Sequence, residues 1–207
     1  MRELALAARD VLLAPRCAGC GEPGSWFCVS CRDDCEPIEH NGGLTLRAAG
    51  AHAGPLRAAV RRLKYGGEPG LAEDLGALVA LELARDLARG VTIDAIVPVP
   101  LHRSRAMARG YDQAALLARA VATRTALPLR PSLHRIRAGR PQMELDRVAR
   151  AANIRGAFVA ESGSLRGLRV AVIDDVATTG ATLGDAAAAA RAAGARAVRA
   201  YVVAFEE

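Results

Sequence analysis

No uninterrupted apolar run in this sequence approaches the roughly 18 residues that a membrane-crossing helix needs, which excludes insertion into a bilayer by a helix. The opening stretch, MRELALAARDVLLAPRC, is broken by Glu3, Arg9 and Asp10. It therefore lacks the continuous apolar segment of a secretory signal, and the expected location is the cytoplasm. Internal repeats are missing as well, which excludes a solenoid or a bladed array. Lysine is nearly absent: Lys64 stands alone among 28 basic residues, all the others being arginine. A single ammonium in an arginine-rich chain points to a place where a compact charge does what a planar guanidinium cannot. The four histidines do not converge, and neither His102 nor His134 has a metal-ligand spacing, so both read as incidental.

What is present suits a folded chain. Its 207 residues, 51% of them hydrophobic, fit one medium domain with at most a small appendage, and the mean hydropathy of +0.12 argues against disorder. The 28 basic and 22 acidic residues leave a net charge of +6 and a pI near 9.5, a balance that favours phosphate-bearing ligands. The arginines are nevertheless spread along the whole chain, so any one of them reads first as solvated surface.

Apolar residues recur at helical spacing from Leu4 to Leu12, and Pro15 ends that pattern. Residues 44–52 predict a strand, 56–63 a short helix running into Gly66-Gly67, and Leu75, Val79, Leu83 and Leu87 a longer helix closed by Gly90. From there strand and helix signals alternate: strands over 93–99, 169–173 and 197–205, helices over 111–121 and 185–193, the last followed by Gly194. Alternation of this kind predicts an α/β fold built on a parallel sheet flanked by helices. The basic, polar stretch 135–150, with Gly139 and Pro141 at its centre, reads as a mobile loop.

Two constellations carry chemistry. The first is VAVIDDVATTGAT (170–182), an apolar strand that delivers Asp174 and Asp175 to its carboxyl end, where α/β sheets bind ligands. Ala177, Thr178, Thr179, Gly180, Ala181 and Thr182 then form a loop free of large side chains, whose N–H groups and hydroxyls can close on a phosphate at a helix N-terminus. Paired acids beside a phosphate cradle suit a sugar phosphate, with Mg²⁺ offsetting the crowded negative charge. The second is Cys17-x-x-Cys20 and Cys28-x-x-Cys31, two knuckles able to give four thiolates to a structural Zn²⁺, while Cys35 is left over as a free thiol or a substitute ligand. Trp26 and Phe27, between the knuckles, offer either a small apolar plug or a stacking platform for single-stranded nucleic acid.

The acid-pair string resembles the phosphoribosyl pyrophosphate (PRPP) signature of type I phosphoribosyltransferases. Three further strings, LKYGGE (63–68), IVPVPLHRSRAMARGYDQ (96–113) and RPQMELDRVARAANIRGAF (140–158), together with the cysteine-rich start, resemble in this order the ComF family of competence-associated phosphoribosyltransferase-like proteins. Asp112 departs from that pattern, which has asparagine there. The resemblance implies a type I phosphoribosyltransferase fold over 41–207, preceded by a helix and four-cysteine zinc module over 1–40. It assigns Asp174 and Asp175 to catalysis, 177–182 to PRPP, and Lys64, Arg103, Arg105, Arg109, Arg140 and Gln142 to the pyrophosphate and the loop that covers it. It implies a role in DNA uptake, with activity on PRPP the favoured expectation. The alternative is a non-catalytic protein of the same fold that meets single-stranded DNA or a competence helicase. No element reads as a nucleobase pocket.

Overall fold

The computed structural model describes residues 15–137 and 156–206. The expected helix over 4–12 and the loop positions Arg140 and Gln142 lie outside these residues. A five-stranded sheet runs in the order β1 (Ile38–Asn41), β2 (Thr45–Ala51), β7 (Ala197–Phe205), β6 (Arg169–Ala177), β3 (Ala95–Pro98). Only β1 is antiparallel to its neighbour, so four parallel strands form its body. A separate antiparallel pair, β4 (Leu133–Arg135) and β5 (Phe158–Ala160), lies beside it.

The side-chain alternation of a strand explains the layering. Along β6, Val170 and Val172 enter one apolar cluster, whereas Ala171 and Ile173 enter the other. Both faces are therefore buried, which is why the strand reads as an unbroken apolar run. One face is covered by α2 (Gly54–Tyr65), α3 (Leu71–Ala88) and α5 (Gln113–Thr125), the other by α6 (Ala181–Ala192). Leu75, Val79 and Leu83 are fully buried, and Leu71 extends that stripe by a turn. Glu73 and Asp74 sit in the first turn of α3, where carboxylates meet the positive end of the helix dipole.

Two short helices went unread in the sequence. The first, α1 (Val29–Asp33), forms within the cysteine knuckles. The second, α4 (Arg103–Arg109), buries no residue, so it carries no apolar period to detect. Its start is capped by His102, whose Nδ1 accepts from the Ser104 N–H at 3.4 Å and meets the Ser104 hydroxyl at 2.8 Å. The α6 helix begins four residues earlier than the alanine run suggests, at Ala181, because Gly180 adopts φ +71° and turns the preceding loop directly into it.

The helical layer is tightest where Gly76 of α3 faces Ala120 of α5. A Cβ at position 76 would stand 2.5 Å from the Ala120 Cβ and 3.2 Å from the Leu117 carbonyl oxygen. Alanine is the better helix former by about 1 kcal/mol, but overpacking here outweighs that gain. Gly76→Ala is expected to lower stability by about 1–3 kcal/mol, read as a shift in the urea midpoint; an unchanged or raised midpoint would contradict this packing.

Candidate functional site

The parallel strands all end on one cleft of about 300 Å³. From β3 come Val99, Pro100 and Leu101, from β6 Asp174 to Ala177, from β2 His52 and from β7 Glu206. Backbone bonds carry the ladder to this edge: the Val99 N–H donates to the Ile173 carbonyl at 2.9 Å, Glu206 to Ala177 at 2.8 Å, and His52 to Phe205 at 2.7 Å. The loop Thr178, Thr179, Gly180 continues the wall into Ala181 and Thr182, the first turn of α6. The Ala181 N–H is 3.4 Å from the Thr179 hydroxyl oxygen.

Adjacent on one strand, the two acids meet different surroundings. Asp175, 8% exposed, takes the Lys64 ammonium at 2.8 Å from the α2 side. The carboxylate of Asp174 accepts from the Asp175 N–H at 2.8 Å, and its charge is felt by Arg135 of β4. Burial of the Asp174 carboxyl, reinforced by the charge of Asp175, pushes its pKa up to about 8. Burial lowers the pKa of Lys64, but the Asp175 carboxylate more than compensates and the net shift is upward. His52 is pulled down by burial against a smaller upward effect of Glu206, whose carboxylate is 3.7 Å away.

Arginines line the outer wall. Arg105 and Arg109 face the cleft from α4, Arg61 from α2 and Arg135 from β4, whereas Arg103 is exposed and stands outside the lining. Arg109 also lies over the ring of Tyr65, 5.1 Å from its centroid. The Tyr111 hydroxyl donates to the Leu63 carbonyl at 2.6 Å, joining the LKYGGE turn to the RGYDQ segment. Asp112 uses both carboxylate oxygens as acceptors, from Leu101 N–H at 2.8 Å and from Ala115 N–H at 3.1 Å. Asparagine has one acceptor oxygen where aspartate has two, so the departure from the family pattern strengthens the bracing of this turn. On the far side, Asp185 of α6 accepts from the N–H groups of Gly156, Ala157 and Phe158 at 2.7, 2.8 and 3.2 Å.

The four sulfurs of Cys17, Cys20, Cys28 and Cys31 lie within 4.8 Å of one another. Tetrahedral Zn–S bonds of about 2.3 Å require S···S edges of about 3.8 Å, so the cluster fits that ion, with Cys20 and Cys28 already 3.5 Å apart. The Cys17 sulfur accepts from the N–H groups of Gly19 at 3.4 Å and Cys28 at 3.3 Å. Burial opposes ionisation of Cys17, yet these bonds prevail and bring its pKa down to about 6. Cys35 stands outside the group, its thiol 3.3 Å from the Cys31 carbonyl. Trp26 and Phe27 both pack against the main core, Phe27 fully buried and Trp26 in part. Trp26 covers Gly70, where a Cβ would meet the indole nitrogen at 2.5 Å. Asp74 clasps the knuckles to α3, accepting from the Phe27 N–H at 2.9 Å and from Arg32 at 2.5 Å.

No protein-family model matches the chain. DNA utilization protein YhgH of Escherichia coli K12 is 30% identical over 199 aligned residues, spanning 89% of this chain and 82% of that protein. Competence protein F of Haemophilus influenzae is 29% identical over 177 residues, 83% of this chain and 76% of the relative. The chain belongs to the ComF family. Among solved structures, the glutamine PRPP amidotransferase of B. subtilis is similar over 63% of this chain at 26% identity and a TM-score of 0.44. The UMP synthase of Leishmania donovani is similar over 72% at 25% identity and a TM-score of 0.38. The chain spans only about a quarter of the length of each of these. The ComF-family chain has the expected mostly parallel α/β sheet flanked by helices, with a four-cysteine cluster near its start that could hold zinc. None of its described helices is long and apolar enough to cross a membrane.

Four cleft residues were missed in the sequence: His52, Arg61, Arg135 and Glu206. Each is ordinary in its local string, and only the convergence of strand ends with α2 brings them together.

Two measurements follow from this geometry. A raised pKa means that folded Asp174 keeps a proton its unfolded counterpart loses near the ordinary value of 3.8. Its stabilising effect is complete below that value and is lost as pH rises towards about 8. Thermal melts from pH 5 to 8.5 are expected to show wild type losing stability relative to Asp174→Asn, by at most about 1.4 kcal/mol per pH unit. Parallel curves would refute the shift. For the cysteine centre, metal analysis should find one zinc per chain in wild type and in Cys35→Ser, whereas Cys17→Ser and strong chelators remove it and lower the melting temperature.

Proposed function

We infer that this chain binds PRPP, or a closely related ribose phosphate, together with Mg²⁺, and that this binding serves the uptake or use of DNA. The observation that carries the reading is the convergence, on one cleft, of an acid pair, a small-residue loop entering a helix, and a wall of arginines. The printed names of the relatives, a competence protein and a DNA utilization protein, supply the link to DNA. In this proposal residues 41–207 form the ribose-phosphate unit, and 1–40 a zinc module that braces it.

The chemistry assigns each group a task. Asp174 and Asp175 accept hydrogen bonds from the two ribose hydroxyls, and their hard oxygens are the ones that would hold Mg²⁺. When bound, that ion neutralises charge on the leaving pyrophosphate. The loop N–H groups and the hydroxyls of Thr178, Thr179 and Thr182 surround the 5-phosphate at the positive end of α6. Arg105, Arg109 and Arg135 stabilise the pyrophosphate as its bond to the anomeric carbon breaks. Arg61 stands on the same wall. Turnover would move the ribosyl group to an acceptor nucleophile, the bond to the leaving pyrophosphate breaking as the bond to the acceptor forms, through an oxocarbenium-like state for which positioning and charge suffice.

Calorimetric titration of PRPP with Mg²⁺ into the zinc-loaded protein tests the reading. Wild type should bind, and the Asp174→Ala, Asp175→Ala variant should lose at least about 100-fold in affinity, because hydrogen bonds to a charged group contribute about 1.5–3 kcal/mol each. The variant should keep its fold. No binding by folded wild type would overturn the proposal and favour a DNA-binding protein that retains the fold without catalysis.

A further inference from the structure

We propose that Lys64 is a built-in counter-ion for the acid pair. In the ligand-free protein its ammonium holds the cationic place beside Asp175, so the carboxylates take up a divalent ion only when a sugar phosphate arrives with it. This deepens the ribose-phosphate reading and rests on it.

The contact is close and sheltered. The Lys64 nitrogen is 2.8 Å from an Asp175 oxygen, and the two side chains are 23% and 11% exposed. An ion pair so placed is weakly screened by water and salt.

The ammonium is also presented by a braced segment. The carbonyl of Leu63, the residue before it, accepts the Tyr111 hydroxyl at 2.6 Å. Arg109 lies over Tyr65, the residue after it. Arg62 spans the following turn to Glu68 at 2.7 Å. Gly67, at φ +68°, completes that turn. Lys64 therefore meets Asp175 from a fixed direction.

The residue type fits an exchangeable partner. A guanidinium grips a carboxylate with a planar, two-pronged fork, whereas an ammonium is a point charge whose single contact is readily handed over. Every other basic residue in the chain is an arginine, and lysine stands at the one position facing an acid that must later change partner. Charge around the cleft acts in the same sense. Among the described residues that line the cleft, Arg61, Lys64, Arg105, Arg109 and Arg135 stand with the carboxylates of Asp174, Asp175 and Glu206. A bare divalent cation meets a positive field there, and a cation carried on a phosphorylated sugar does not.

The test uses Mn²⁺ alone, with free ion counted by electron paramagnetic resonance against the intact, zinc-loaded protein. Lys64→Met is expected to bind Mn²⁺ at least tenfold more tightly than wild type, and this gain should vanish in Lys64→Met, Asp175→Asn. Lys64→Arg, which keeps the charge, should bind no better than wild type and guards against a general disturbance of the turn. Equal affinity in wild type and a folded Lys64→Met would overturn the proposal. So would a gain that survives loss of Asp175, or one that Lys64→Arg shares. Titration of PRPP with Mg²⁺ into wild type is read separately: its failure removes the ribose-phosphate reading, whereas the Mn²⁺ comparison bears on the counter-ion alone.

Discussion

Two carboxylates on consecutive residues cannot both be ionised in a sheltered place unless each finds a different source of relief. Strand geometry provides that difference at the end of β6. Asp175 takes its relief from Lys64, whose helix packs on one side of the sheet. Asp174 accepts the neighbouring backbone N–H, while burial and the charge of Asp175 raise its pKa and favour its neutral form. The α2 helix brings Arg61 and Lys64 to this edge, and β4 brings Arg135. The acid pair is thus the constraint around which the cleft is assembled.

The sequence disclosed this edge because its signal is local. A buried parallel strand must be apolar on both faces, so Val170 to Ile173 stand out, and the acids that follow have no structural reason to be there. The small-residue loop is legible for the same reason, since Thr178 to Gly180 sit between strand and helix with nothing large among them. Other parts left no such trace. The helix carrying Arg105 and Arg109 buries nothing, and its cap is a histidine that reads as incidental by spacing. Arg61, Arg135, His52 and Glu206 belong to the cleft only because separate strands and helices end at one edge. In a chain with 28 basic residues no local rule separates those arginines from the rest. Asp112 was legible as a departure, but its meaning needed the two N–H groups that it receives.

The cysteine knuckles show how a metal cluster too small to own a core borrows one. Phe27 is buried among Leu71, Leu75 and their neighbours, while Asp74 receives both a backbone N–H and a guanidinium from the knuckle segment. Gly19 marks another close approach, where a Cβ would lie 2.7 Å from both the Cys31 sulfur and the Pro55 Cβ. Pro55 lies in the first turn of α2, the helix whose last turn carries Lys64. The cysteine cluster and the acid pair are therefore connected through a single helix.

Asp185 has a consequence of another kind. By collecting three successive N–H groups at residues 156–158, it fastens the chain's return to the helix that starts at the small-residue loop. Phe158 is also the register partner of Arg135 in the β4–β5 pair, so the same fastening steadies Arg135 at the cleft. These fastenings use main-chain N–H groups, so a change of side chain at 156–158 leaves them in place, and the edge of the cleft is held independently of what those residues present to solvent.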